Sequence, residues 1–309
     1  MEALGALGVT PDTLSPGQKE SLDKDGLCVI ETEPAFWREF GVDLDEMAKT
    51  IDDLFEREGF NAGWEHIKEA QKVGSTPEAG ARRLSNLINK HPIFRRAMVA
   101  PFPLAASYRV IKDEIRLTSL QIREPEPNAG NQALHIDWRP RHWPTAPFGA
   151  CASFLYLDDS SRETGALRFV PRSHLKLGQP EDYCDPYEEQ PDQVVIEVPR
   201  GAMVCLNAHT WHGGTHSSGG RRRALFITYR NRRHWQQLNQ KKFLDPNVKD
   251  SLSEAEAYLL GVRNQDATQN EFFYRRRNSR YIRFFSFARD WVDAHVGGER
   301  TTHANSFTE

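Results

Sequence analysis

Two stretches of the chain concentrate side chains able to ligate a metal. His135 and Asp137 stand two apart in QALHIDWRPRHW, and His209, His212 and His216 cluster in HTWHGGTHSSGGRRRALF about seventy residues later. On a strand, alternate side chains share a face, so His135 and Asp137 project together while Ile136 points away. One neutral imidazole with one carboxylate suits a borderline divalent ion such as Fe(II). One more imidazole completes a facial triad that keeps positions open for substrate and oxygen. The residues by themselves leave that third ligand open among three histidines, and an isolated HxD is weak evidence.

Elements able to hold such a site follow from the patterning. SPGQKESLDKDGLCVIE reads as a helix opened by Ser15 and Pro16, a turn at Gly26 and the strand LCVI. DLDEMAKTIDDLFEREGF carries Leu44, Met47, Ile51, Leu54 and Phe55 at helical spacing, with Gly59 beyond its end. AGARRLSNLINKHPIFRRAMV is expected to be a third helical run, with Leu84, Leu87 and Ile88 on one stripe and Pro92 as an interruption. From Val110 to Arg232 the period becomes that of strands: IRLTSLQIRE, ALHIDW, GACASFLYLDD, ALRFVPRS, QVVIEV, AMVCLNA and RALFITYRN, divided by turn clusters. Seven or eight strands with no intervening helices predict a jelly roll or barrel rather than a parallel α/β sheet.

Beyond Pro246 the pattern is helical again, with SLSEAEAYLLG opened by Ser251 or Ser253 and then the aromatic run FFYRRRNSRYIRFFSFARDWVDAHV. The expectation is one domain over 1–296, with a helical segment over 1–108, a jelly-roll core over 109–232 and helices over 247–296. A disordered tail is expected over 297–309.

The 309 residues, 39% hydrophobic and 27% charged, are those of a soluble globular chain with a sizeable core. A formal net charge of −3 gives no global basic field for nucleic acid or an anionic membrane, so a small-molecule substrate is the expected partner. The four cysteines show no CxxC spacing, which fits free thiols in the cytoplasm. The first residues lack a basic, then apolar, leader pattern, and no run reaches membrane-spanning length. The C-terminal aromatic residues would pack on the barrel or form a homodimer contact.

In order along the chain, LSPGQKESLDKDGLCVI, ALHID, YLDDSSRETGALRFVPRSH and WHGGTHSSGGRRRAL resemble the phytanoyl-CoA dioxygenase family of Fe(II)- and 2-oxoglutarate-dependent oxygenases. The resemblance covers most of 14–232. It implies a mainly β fold with flanking helices around a cupin-like double-stranded β-helix. It also implies Fe(II), 2-oxoglutarate and O2 as reactants, with His135, Asp137 and His212 as iron ligands. In such enzymes an arginine about eleven positions past the third ligand clamps the far carboxylate of 2-oxoglutarate through its planar fork. That spacing leads from His212 to Arg223, whereas His209 leads to Gly220 and His216 to Ile227. Of the three arginines at 221–223, only one need face inward.

The chain also departs from its relatives. Many of them carry a serine two residues past the third ligand, where this chain has Gly214; Thr164, Thr215 and Ser217 are the candidate replacements. PRSH stands where PGSH is commoner, with Arg172 in the glycine position. Ser119, Gln121 and Arg123 share one face of their strand, and Gln121 is the expected 2-oxoglutarate contact. Gln132 would orient a ligand from behind. Trp138, Arg139, Arg141 and His216 are candidate substrate contacts, as is Arg123, suited to an anionic or aromatic molecule.

The implied reaction is hydroxylation of an unactivated C–H with release of succinate and CO2. Asp137 stands where related halogenases have alanine or glycine, so no ligand position is left for chloride. Two rivals use the same fold: a Zn(II) or Mn(II) isomerase or hydrolase, which would not need an arginine at that spacing, and a non-catalytic binding module.

Overall fold

The computed structural model describes residues 2–63 and 80–263. The aromatic run beyond 263 and the predicted tail lie outside the described residues. The helices are α1 (Glu2–Ala6), α2 (Pro16–Lys24), α3 (Leu44–Glu58), α4 (Pro92–Met98), α5 (Pro101–Ile111), α6 (Gln240–Phe243), α7 (Pro246–Asp250) and α8 (Glu254–Leu260). The strands are β1 (Leu27–Ile30), β2 (Ala81–Leu84), β3 (Ile115–Pro125), β4 (Ala150–Tyr156), β5 (Leu167–Phe169), β6 (Val194–Ile196), β7 (Met203–Asn207), β8 (His212–Gly214) and β9 (Ala224–Asn231).

Helix ends follow local chemistry. Ser15 caps α2 in a reciprocal capping box with Gln18, with Pro16 in the first turn. Asp43 accepts from the Asp45 and Glu46 amides to open α3, and Ser253 rather than Ser251 caps α8.

The strands form a six-stranded antiparallel sheet in the order β1-β7-β4-β9-β3-β2 and a three-stranded sheet β6-β5-β8, the two layers of a jelly roll. Alternation divides the large sheet cleanly. Cys28, Ile122, Leu155, Cys205, Leu225, Ile227 and Tyr229 join Met47, Ile51, Phe94 and Leu104 in the outer core beneath the helices. Ala152, Phe154, Tyr156, Val204, Leu206, Ala224 and Phe226 meet Leu167 and Phe169 in the inner core between the sheets. A bulge between Leu117 and Ser119 resets β3, so that Gln121 lies opposite Phe226 and Arg123 opposite Ala224, on the inner face.

Two expectations need correction. The segment over 1–108 is not purely helical: LCVI becomes β1, as read, but ARRL within the third predicted helical run is β2, paired with β3 from Ala81↔Pro125 to Leu84↔Ile122. Leu84, Leu87 and Ile88 are buried either way, so periodicity could not separate the two outcomes. Asn86, at φ +57°, separates β2 from the 3-10 turn Leu87–Asn89, and α-helix begins only with Pro92 at the start of α4. Likewise ALHIDW forms no regular strand; it is extended and joins β8 through the bridge His135↔His212.

Arg172 adopts φ +66°, the left-handed backbone that glycine takes without cost. Arg172→Gly is expected to stabilise the fold by about 1 kcal/mol or less, because relief of steric strain is partly offset by chain entropy. A urea midpoint that rises would confirm this; one that falls would show that the exposed arginine makes a contact worth more than the strain.

Candidate active site

His135, Asp137 and His212 converge so that one ligand atom from each lies within 4.8 Å of the others. Backbone pairing sets this geometry. The His135 and His212 amides exchange hydrogen bonds with each other's carbonyls at 2.9 and 3.1 Å, and the Asp137 amide donates to Ala208 O at 2.8 Å.

Each imidazole is then oriented from behind. His135 Nδ1 sits 3.0 Å from Ala133 O and His212 Nδ1 2.8 Å from Thr210 O. Carbonyl partners fix the Nδ1–H tautomer, which leaves both Nε2 lone pairs free for a metal. Those Nε2 atoms face the two Asp137 oxygens at 3.7 and 3.5 Å. Two imidazole nitrogens and one carboxylate fit a divalent first-row ion with open coordination positions. The His212 side chain is 5% exposed but Asp137 is 38% exposed, so the open side faces the mouth of the roll.

Burial alone would push the Asp137 carboxyl up, but His212 and His135 outweigh it and hold it well below the usual carboxylate range. Burial depresses His212 too, yet Asp137 more than compensates and raises it. His135 is lowered, by burial and by its neighbour His212.

The other two histidines of the cluster do not join the triad. His216 is exposed on the β8–β9 connection. His209 is buried behind the site, with Nδ1 3.2 Å from Asn207 Oδ1 and its ring 5.3 Å from Phe148. Burial, helped by the Arg141 and His174 charges, lowers His209 to about 3. Its folded pKa lies below the unfolded value of about 6.5, so on acidification the unfolded chain takes up the proton first. Stability should therefore fall by about 1.4 kcal/mol per pH unit from this group as pH drops from about 6.5 towards 3. In His209→Gln, the pH slope of the urea midpoint should be shallower between about pH 6.5 and 4.5; an unchanged slope would contradict the assignment.

Polar side chains of the inner face of the large sheet lie near the triad. Gln121 donates to Ser119 Oγ at 2.6 Å and accepts from Arg83 at 3.4 Å. Arg123 is 3% exposed, and its charge is close enough to oppose protonation of both ligand histidines, weakly beside burial and Asp137. A Cβ at Gly214 would stand 3.6 Å from Arg123 Nη1 and 3.2 Å from Gln132 Oε1. The tightest neighbour is the Gly130 carbonyl at 3.0 Å, so a side chain here would crowd that backbone and Gln132 rather than Arg123. Gln132 serves the site indirectly, accepting from the Gly214 amide at 2.9 Å.

Arg223 does not lie on this face. Its Nε and Nη2 pair with both oxygens of Asp158 at 2.9 and 2.7 Å, and Nη1 reaches Asp52 on α3 at 3.0 Å. It shares the outer parity of Leu225 and Ile227. Arg222, one residue earlier, has the inner parity of Ala224 and Phe226. It is 3% exposed, with its guanidinium 5.9 Å from the centre of the buried Tyr156 ring. Arg222 and Ser160 both lie beside the Tyr156 hydroxyl. A spacing of about eleven does not separate Arg222 from Arg223, and one residue changes the face.

Further candidates are committed elsewhere. Thr164 Oγ1 closes its own turn, accepting from Ser161 N at 2.9 Å and donating to Ser161 O, and Thr215 Oγ1 donates to Ala166 O at 3.0 Å. Ser217 is buried, paired through its backbone with Ala129 and Thr164. Arg141 is 6% exposed, and its guanidinium donates to the carbonyls of Pro144, Ala146, His174 and Leu175, so it ties the loop down. Trp138 is half-buried, with Arg230 4.9 Å above its ring, Arg139 at 5.7 Å and His234 at 5.0 Å.

A jelly roll on which two histidines and one carboxylate converge is an arrangement that non-haem metal oxygenases use. The phytanoyl-CoA dioxygenase (PhyH) family model matches residues 22–224, and the chain belongs to that family. Dioxygenase cnsJ of Penicillium expansum is 28% identical over 140 residues, which is 42% of this chain and 41% of that one, so the match spans about two fifths of the curated relative.

Among solved structures, the non-heme alpha ketoglutarate dependent carbocyclase SnoK from nogalamycin biosynthesis aligns with TM-score 0.54 and 19% identity over 79% of this chain and 93% of that one. HygX from Streptomyces hygroscopicus, with nickel and 2-oxoglutarate bound, aligns with TM-score 0.51 and 18% identity over 71% and 88%. These likenesses bear on the fold. Among the described residues no helix is long and apolar enough to cross a membrane.

Proposed function

We propose that this family member is an Fe(II)- and 2-oxoglutarate-dependent oxygenase that hydroxylates an unactivated C–H of a small molecule, with His135, Asp137 and His212 as its iron ligands. The observation that carries the reading is the convergence of two Nε2 atoms on one carboxylate, with each Nδ1 already engaged by a carbonyl. The fold of HygX, which is similar, holds nickel and 2-oxoglutarate in its own structure. Bound iron would supply activation of O2 coupled to oxidative decarboxylation of 2-oxoglutarate to succinate and CO2.

The residues divide the remaining tasks. Arg222 is suited to hold the far carboxylate of 2-oxoglutarate, in place of the Arg223 expected from spacing. Its burial beside the Tyr156 ring limits access of water, which strengthens a charge-assisted pair. Gln121 and Arg123 lie near the triad, and Trp138 with Arg139 is suited to contact the substrate. Asp137 fills the third protein position, which favours oxygen insertion over halide transfer. The fold also serves the carbocyclase SnoK, so the product is to be read from the reaction itself.

The test is succinate formation from 2-oxoglutarate by Fe(II)-loaded protein in air, first without and then with a panel of small carboxylates and aromatic compounds. Succinate should appear slowly alone and faster with an accepted substrate, whose mass should rise by one oxygen. Iron-loaded protein that makes no succinate under any condition would overturn the reading.

A further inference from the structure

Three consecutive arginines pose a register problem. A slip of one residue in the approach to β9 would turn Arg221 or Arg223 inward in place of Arg222, with little change in composition or charge. The outer face of the sheet carries a device that removes this ambiguity. Arg223 is held by Asp158 through both carboxylate oxygens, and its own amide donates to Asp158 Oδ2 at 2.8 Å. Arg221 is held by Glu124 in the same two-point manner, at 2.7 and 3.1 Å. Both guanidiniums also meet Asp52 on α3, Arg221 at 2.8 Å and Arg223 at 3.0 Å, and Arg223 reaches Ala48 O at 3.2 Å.

Two-point pairing fixes orientation as well as distance, which a single contact to a lysine would not do. Glu124 itself neighbours Arg123, so the same network flanks two inner-face guanidiniums. Burial tends to raise the Asp52 carboxyl, but the two arginines outweigh it, which agrees with a carboxylate charged in its bridging role.

We propose that Asp52, Asp158 and Glu124 position Arg222: by fixing Arg221 and Arg223 outward, they lock its register and present its guanidinium to the far carboxylate of 2-oxoglutarate. Co-substrate affinity is thereby tied to the seating of α3 on the sheet. This rests on the reading of Arg222 as the carboxylate clamp.

The test is anaerobic titration of the full Fe(II)-loaded protein with 2-oxoglutarate and, separately, with pyruvate, which shares the chelating keto acid but lacks the far carboxylate. The readout is the visible charge-transfer band. Asp158→Asn and Asp52→Asn should each weaken 2-oxoglutarate binding about tenfold, in line with the loss of an outer partner, and leave pyruvate binding and Fe(II) affinity within about twofold. General loosening of the site would weaken both keto acids alike, which would overturn the proposal. So would an unchanged 2-oxoglutarate affinity in both variants while Arg222→Gln shows a large loss. If Arg222→Gln itself leaves the preference for 2-oxoglutarate over pyruvate intact, the clamp reading fails instead.

Discussion

Asp137→Ala is expected to lose iron and all 2-oxoglutarate turnover while keeping its fold. The carboxylate is the only anionic member of the triad, and it faces both Nε2 atoms at 3.5–3.7 Å. Removing it leaves two imidazoles to bind a divalent ion with neither charge neutralisation nor a third corner. Loss of a mere outer-shell partner costs roughly 10–100-fold in metal affinity, so loss of a direct ligand should exceed that range. The backbone contact of residue 137 with Ala208 O survives the substitution, and the side chain is over a third exposed. Thermal stability of the metal-free protein should therefore change little. Iron retention by the variant after desalting, at the stoichiometry of the parent, would argue that the ion binds elsewhere.

The second large effect separates two neighbours. Arg222→Gln should weaken 2-oxoglutarate binding by about 2–5 kcal/mol, roughly thirtyfold to a few thousandfold, because it removes one partner of a buried charge pair. Arg222→Lys should fall between the variant and the parent, since an ammonium keeps the charge but not the planar fork. Arg223→Gln should cost about tenfold or less, and it should lower stability, because it leaves Asp158 without its two-point partner. The Michaelis constant for 2-oxoglutarate, measured by succinate release, distinguishes these. A larger increase in Arg223→Gln than in Arg222→Gln would restore the assignment made from spacing and contradict the strand parity.

The contrast between the triad and the clamp shows what a sequence makes legible. His135 and Asp137 are separated by one residue, a distance over which extended backbone leaves no freedom about facing, so their convergence could be read directly. The convergence of His212 with the pair is legible only through family resemblance, and the shared face of Ser119, Gln121 and Arg123 through alternation, although the bulge after Leu117 is invisible in the pattern. The arginine proposed as the clamp lies across a turn from His212, where one residue more or less is cheap for the loop but reverses the strand.

The polar groups of Thr164 and Arg141 are engaged away from the triad, which their residue types do not reveal. They are satisfied by backbone carbonyls and amides, for Thr164 within its own turn and for Arg141 both within its own loop and by the His174–Leu175 segment. β2 was hidden because its apolar residues suit helix and strand equally; only its partner β3 decides between them.

The measurement that bears most directly on the central claim is the visible spectrum of metal-free protein given Fe(II) and then 2-oxoglutarate without oxygen. The expected result is a weak metal-to-ligand charge-transfer band that requires both additions, saturates at one 2-oxoglutarate per chain and is lost in Asp137→Ala. Folded protein that binds iron yet shows no band at any 2-oxoglutarate concentration would contradict the claim.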